Sequence, residues 1–157
     1  MKTNRKDIKQ ASYDLMGIQG LESLHARTVA AELNINHATV HYYFRRRIDL
    51  LVGVAEHALE QLKTDREKFQ AGFSKPADQL EAELALAEAY CKKTSRFVKV
   101  LAGLYVASTN NLILKKHLQA IWNEWLGLIK DAVPKAKLKR DTPYQDPESL
   151  LTHLFGI

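Results

Sequence analysis

The segment from Leu24 to Leu51 limits most strongly what this chain can fold into. Apolar residues in its first part follow the i, i+3, i+4, i+7 spacing of one helix face: Ala26, Val29, Ala30 and Leu33. A second apolar pair, Val40 and Phe44, has i, i+4 spacing and comes after the segment 34–36. The pattern predicts two short helices joined by a tight turn and followed at once by a long third helix.

Asn34 is the predicted turn residue between the two short helices. A helix-turn-helix needs a residue there that accepts a positive φ, and asparagine tolerates that conformation better than most residues. We expect Ile35 to fill the space between the helices. The second helix, about 36–43, then directs its outward side chains at the edges of DNA bases. These side chains are His37, Thr39, His41 and Tyr42, with Arg45, Arg46 and Arg47 at the end of the helix.

The same residues resemble the TetR/AcrR family of transcriptional regulators, over positions from about 5 to 52. The run from Thr39 to Phe44 is similar to the family's succession of Thr, an aliphatic residue, Tyr, any residue, Tyr or His, and Phe. Gly20 matches a glycine that is common in the family. The chain departs from the family at His41, where Tyr is most frequent. It also departs at 24–25, where Thr or Ser usually caps the second helix, and Ser23 is expected to supply that cap instead.

The resemblance implies an all-α protein with an N-terminal three-helix DNA-binding domain over 1–50. A helical ligand-binding and dimerisation domain follows over 51–157 and is expected to lack its last helix or helices. The implied function is a repressor that binds a palindromic operator as a homodimer. A small, apolar effector molecule is expected to release it from the DNA. No cofactor and no membrane partner is implied.

Nine residues are expected to contact DNA. Ala38 is small enough to let the helix backbone come close and to touch a thymine methyl group. Arg47 matches the family's phosphate-binding lysine, and Arg27 lies where the family often binds a phosphate, although a solvated surface is the alternative for both arginines. The full set is Arg27, Asn36, His37, Ala38, Thr39, His41, Tyr42, Tyr43 and Arg47.

His37 and His41 also have the spacing of two metal ligands on one helix face. No third or fourth ligand of suitable type lies near them in the sequence. We therefore expect no metal site.

Beyond residue 50 the apolar spacing predicts helices over about 46–72, 77–93, 95–107 and 110–133, and a last one from about 146. The helix over 95–107 is apolar nearly all round, which is typical of a helix at the centre of a domain. Cys91 is expected to be a small core residue. The residues expected to border the effector are Phe97, Leu101, Tyr105, Trp122 and Trp125, with a core or dimer-interface position as the alternative for the tryptophans.

The composition adds weaker limits. The chain has 157 residues, a net charge of +5 and a pI near 9.3, which favours a polyanionic partner. With a single cysteine it can form no intrachain disulfide, and its start lacks the apolar run of a signal peptide, so the cytoplasm is the expected location.

Two other classes of function remain open at this point. One is an all-helical regulatory protein that acts through protein partners. The other is a helical enzyme that uses His117 with Glu124, although no nucleophile, phosphate-loop or metal motif is present.

Overall fold

The computed structural model describes residues 3–71, 78, 81–82, 85–86 and 96–135. Within them the chain forms α1 (Arg5–Gln19), a 3-10 helix (Leu21–Ser23), α2 (Ala26–Glu32), α3 (His37–Tyr43), α4 (Arg47–Gln70), α5 (Arg96–Ser108) and α6 (Leu112–Lys135). No strand occurs in this part of the chain, which confirms the all-α prediction. Most of the helix predicted over 77–93, with Cys91, and all of the helix predicted from 146 lie outside the described residues.

The described residues fall into two compact units. The first contains residues up to 62 together with 96–121, and the second contains 63–71, the described positions between 78 and 86, and 122–135. These units follow from packing, whereas the predicted division at residue 50 concerns function, and that division stays a prediction.

α1 begins at a reciprocal capping arrangement. The Asn4 side chain accepts hydrogen bonds from the backbone N–H groups of Lys6 (2.8 Å) and Asp7 (3.1 Å), and the Asp7 carboxylate accepts one from the Asn4 N–H (2.9 Å). Three backbone donors that the helix cannot satisfy internally are thereby paired. A local pair of this kind fixes where the helix starts.

The buried face of α1 runs through Ile8 and Leu15, whereas Ile18, which continues the same apolar spacing and would be expected on that face, is not buried. Ile18 is 61% exposed, and the fully buried residue near this end is Met16. The buried sector is rotated toward Met16 because α5 packs there: a Cβ added to Gly103 would lie 2.5 Å from the Met16 Cε.

α5 was expected at the centre of the second domain, and it packs against α1 in the first unit. A Cβ added to Gly17 of α1 would lie 3.0 Å from the Cβ of Arg96. At the same contact Arg96 donates a hydrogen bond to the Asp14 carboxylate at 2.9 Å. A helix that is apolar on most sides can pack against more than one neighbour. Its sequence therefore does not identify the helix that it covers.

Charged side chains join α1 to α4. Lys9 is buried, and its Nζ lies 2.7 Å from a Glu60 carboxylate oxygen and 3.5 Å from one of Glu56. The hydrogen bond from Lys9 lowers the pKa of Glu60. Arg5 adds a second ion pair to Glu56 at 3.2 Å. The buried ammonium group is thus compensated by two carboxylates, which a buried charge requires.

His57 lies in the same α1–α4 contact. It is 7% exposed, and its ring meets the Tyr13 ring edge-on with 5.0 Å between centroids. Neither ring nitrogen has a hydrogen-bond partner among the described residues. Burial therefore lowers the pKa of His57, with the nearby charges of Glu60, Lys9 and Asp14 as smaller and partly opposing influences. The neutral imidazole is the form that the folded protein favours.

We expect the free energy of unfolding to fall as the pH drops below about 6.5. The pKa of His57 is lower in the folded protein than in the unfolded chain, so the unfolded chain takes up a proton first and the stability contributed by neutral His57 is lost toward acid. His57→Leu should remove this part of the pH dependence. Denaturant titrations between pH 5.0 and 7.5, above the range in which carboxylates titrate, measure it. A His57→Leu variant with the wild-type slope would contradict the assignment.

Candidate nucleic-acid interface

The turn between α2 and α3 has the predicted geometry. Asn34 has a φ of +51°, the one positive φ of a non-glycine residue in the described part of the chain. The N–H of Ile35 donates a hydrogen bond to the Ala30 carbonyl at 2.9 Å, which closes the end of α2. Asn36 then caps α3, because its side chain accepts from the Ala38 N–H at 2.8 Å. These contacts define the angle between the two helices of the helix-turn-helix.

Two apolar side chains anchor α3, as the i, i+4 spacing predicts. Val40 is 0% and Phe44 1% exposed. The opposite side of the helix is open: Tyr42 is 79% exposed. The other predicted contact residues on α3 are also accessible, with His37, Ala38 and His41 exposed and Thr39 and Tyr43 half-buried. A short helix with one buried edge and one polar, exposed face is what a recognition helix requires.

The side chains on the open face lie close together. The ring centroids of His37 and His41 are 6.1 Å apart and the two rings are nearly perpendicular. The ring centroids of Tyr42 and Tyr43 are 5.1 Å apart. Thr3, at the start of the described chain, lines a shallow groove along the same helix. The face therefore combines ring nitrogens, hydroxyl groups and aromatic edges, all of which can reach DNA bases or phosphates.

The start of α2 differs from the prediction, because Ser23 does not cap it. The Ser23 hydroxyl donates instead to the Gly20 carbonyl at 2.7 Å. Thr28 closes the helix start from its third position: its hydroxyl oxygen lies 3.2 Å from the His25 N–H, which donates to it, and 2.6 Å from the Ser23 carbonyl. The sequence contained the signal, a threonine three residues after the cap position, and our expectation overlooked it.

Arg47 has partners that the sequence did not indicate. Its Nε donates to the Leu24 carbonyl at 3.1 Å and its Nη2 to the Leu21 carbonyl at 2.8 Å. A carboxylate oxygen of Glu22 lies 3.7 Å from the same Nη2. Arg47 therefore joins the start of α4 to the 3-10 helix ahead of α2. Its predicted contact with a DNA phosphate stays a prediction, to be made with the remaining N–H donors.

A groove of about 470 Å³ lies between α2, the end of α3 and the start of α4. The basic or titratable residues that line it are His25, Arg27, His41, Arg46 and Arg47, and no residue that lines it is acidic. Arg46 is paired with Asp49 at 2.9 Å, and this hydrogen bond lowers the pKa of Asp49. The groove brings together three of the nine predicted DNA contacts from three different helices.

The five residues predicted to border an effector lie in two places. On α5, in the first unit, Phe97 is buried, Leu101 is half-buried and Tyr105 is 68% exposed. On α6, in the second unit, Trp125 is buried and Trp122 half-buried, and their rings are stacked with 6.3 Å between centroids.

Glu124 lies between these tryptophans in the sequence. Its carboxylate accepts a hydrogen bond from Arg66, and Lys63 lies 3.5 Å away. Glu124, the acid in the alternative hypothesis of a helical enzyme, thus forms ion pairs with residues of its own unit.

Two kinds of feature are absent from the described residues. These residues contain no cluster of three or more His, Cys, Asp or Glu side chains that could hold a metal ion. None of their helices is both long enough and apolar enough to cross a membrane.

Arg47→Lys should lower the free energy of unfolding by about 1 kcal/mol, because one ammonium group cannot reproduce two hydrogen bonds in a fixed fork. Arg45→Lys is the matched control, since Arg45 is exposed and its side chain has no hydrogen bond or ion pair to the described residues. Denaturant titration of both variants measures the difference. Equal stability of the two would show that the contacts with Leu21 and Leu24 contribute nothing.

Solved structures share this arrangement of helices. A putative transcriptional regulator from Saccharomonospora viridis, crystallised in complex with choline, superposes with a TM-score of 0.80 at 18% identity, over 95% of this chain and 78% of that one. A putative TetR-family transcriptional regulator from Rhodococcus sp. gives 0.69 at 20% identity, over 97% and 83%. The superantigen PfiT gives 0.76 at 16% identity, over 97% and 80%.

No protein-family model matches the sequence, and no curated protein sequence matches it. At these identities the likeness concerns the fold, and it agrees with the resemblance carried by residues 39–44. The protein therefore has the fold of TetR-type transcriptional regulators, with the helix-turn-helix over residues 26–43.

Proposed function

We propose that the protein is a transcriptional regulator, most simply a repressor, that inserts α3 into the major groove of its operator. One observation carries this proposal: α3 is held by two buried side chains, Val40 and Phe44, and presents every other side chain to solvent or to the edge of the unit. Such a face has no packing role of its own. Ala38 and Tyr42 on its exposed side are therefore available for base edges, and Thr39 for a base or a phosphate.

The basic groove beside α3 supports the same proposal. Arg27 and Arg47 line it together with His41, so that cationic groups flank the helix that would enter the DNA groove. Phosphate contacts of this kind fix the position of a protein on the duplex, while base contacts on the helix select the sequence. Asn36 and Tyr43, at the two ends of the helix, complete the proposed set with His37.

We further propose that a homodimer reads a palindromic operator. A two-fold dimer would place two copies of α3 in successive major grooves, about 34–36 Å apart or a multiple of that distance. A small-molecule effector would then release the DNA by favouring a conformation in which the two recognition helices are wrongly spaced. Its effect on DNA affinity can be no larger than its own preference between the two conformations.

Sequence-selective DNA binding tests the proposal directly. Fluorescence anisotropy is measured with the promoter DNA that adjoins the protein's own gene, and with random DNA of equal length. Tyr42→Ala should weaken binding to the promoter about tenfold or more, because one base or backbone contact is worth about 1–3 kcal/mol. Its thermal unfolding should be unchanged, since the side chain is 79% exposed.

Tyr105→Ala is the matched control for Tyr42→Ala. Tyr105 is a similarly exposed tyrosine, 68% accessible, on α5 instead of α3. The Tyr105→Ala variant should bind the promoter with the affinity of the wild-type protein. Equal affinity of the wild-type protein for promoter and random DNA would refute sequence-selective recognition, and equal affinity of Tyr42→Ala and wild type would remove Tyr42 from the interface.

The effector site is proposed at the stacked pair Trp122 and Trp125 of α6, and the fluorescence of these tryptophans allows it to be tested. Trp122 and Trp125 are the chain's two tryptophans, so its intrinsic fluorescence reports on α6 alone. An apolar effector that binds beside them should change that fluorescence and weaken promoter binding over the same concentration range.

Trp122→Phe should weaken the effector's action on DNA binding, while Val106→Ala, at an exposed position outside the proposed effector set, serves as control. An effector that releases DNA without any change in tryptophan fluorescence would place its site elsewhere.

A further inference from the structure

The basic groove has little uncompensated charge when its histidines are neutral. Of its three arginines, Arg46 is paired with Asp49 at 2.9 Å, and Arg47 faces Glu22 at 3.7 Å. Arg27 is exposed and has no hydrogen bond or ion pair to the described residues. One arginine charge therefore remains for a DNA phosphate without competition from a carboxylate of the protein.

His25 and His41 are the other titratable residues that line this groove. Both are exposed, His25 at the position that caps α2 and His41 on the outward face of α3. The charged or titratable groups around them are the three arginines of the groove, the His37 ring 6.1 Å from His41, and the carboxylates of Glu22 and Asp49, which are directed at arginines. No acidic side chain lines the groove itself.

We propose that His25 and His41 bind a backbone phosphate of the DNA as imidazolium groups, so that operator binding takes up protons. The inference rests on the proposed DNA-binding function and assigns a regulation to the same surface. Histidine is the side chain whose charge ordinarily changes between pH 5 and 8. Protonation of both residues raises the uncompensated charge of the groove from one to three, and the DNA phosphates supply the negative charge that favours that form.

Both residues are departures from the TetR-like sequence pattern. The pattern has Tyr at position 41 and a capping Thr or Ser near position 25, and neither of those side chains changes charge between pH 5 and 8. The sensitivity to pH is thus a property of this chain's own residues. This sensitivity makes the affinity for DNA increase as the pH falls.

The test measures promoter binding as a function of salt at pH 6.0 and at pH 8.0, by fluorescence anisotropy of the full chain. Each phosphate charge neutralised by the protein adds about 0.9 to the slope of log K against log salt concentration. The slope should therefore be steeper at pH 6.0 by about 0.9 to 1.8, for one or two protonated histidines. At fixed low salt, affinity should rise on the order of tenfold for each histidine that takes up a proton.

The double variant His25→Gln/His41→Gln should lose most of the difference in slope and affinity that the wild type shows between pH 6.0 and pH 8.0, with His37 as the one histidine left at the proposed interface. His117→Gln, on α6, is the control and should retain the wild-type pH dependence. Circular dichroism at both pH values confirms that each variant is folded. Acid destabilisation through His57 acts in the opposite direction, because it lowers the fraction of folded protein, and so it cannot imitate the expected gain.

Each result separates this inference from the proposed function. Selective promoter binding with the same salt slope at both pH values overturns proton uptake and leaves the DNA-binding proposal intact. A pH effect that persists in the double variant overturns the assignment to His25 and His41. Absence of selective binding at both pH values overturns the proposed function, and this inference with it.

Discussion

Burial of the Phe44 ring holds the recognition helix to the rest of its unit. The ring is 1% exposed and stands directly after α3. A Cβ added to Gly53 of α4 would come within 2.8 Å of its Cε1, and the Arg5 guanidinium of α1 lies 5.0 Å from its centroid. Three helices therefore meet at one side chain, whose truncation to alanine would cost about 3–5 kcal/mol. Because so much of the anchoring is concentrated there, the opposite face of α3 is free to be polar.

Glycine makes this close packing possible where α4 crosses the Phe44 ring. Any side chain at Gly53 would meet the ring or the Lys9 stem, whose Cγ lies 3.2 Å from the position of an added Cβ. The same stem leads to the buried ammonium group that Glu56 and Glu60 compensate. Apolar contact and ion pairing thus occupy one continuous contact between α1 and α4. The helix-turn-helix therefore packs against a contact of buried side chains and ion pairs, which the proposed DNA recognition would require to hold α3 in place.

Burial separates His57 from the two histidines of the groove. His57 is enclosed between helices with no partner for either nitrogen, so a proton there disfavours the folded protein. His25 and His41 are open to solvent and line a basic groove, where we propose that they bind phosphate. The expected pH dependence of stability and the one proposed for DNA binding therefore have different origins, and mutation should separate them.

The sequence by itself determined the features that depend on neighbouring residues. The turn at Asn34, the anchors Val40 and Phe44, and the limits of α3, α4, α5 and α6 to within about two residues follow from periodicity, capping and backbone preference, which act over a few positions. Only the tertiary structure decided that α5 covers α1, that Ile18 is exposed, and that Arg47 bonds carbonyls 23 and 26 residues earlier in the chain. Such contacts depend on which surfaces meet when the helices pack, and a pattern with the period of a helix identifies a face to be buried without identifying what will bury it.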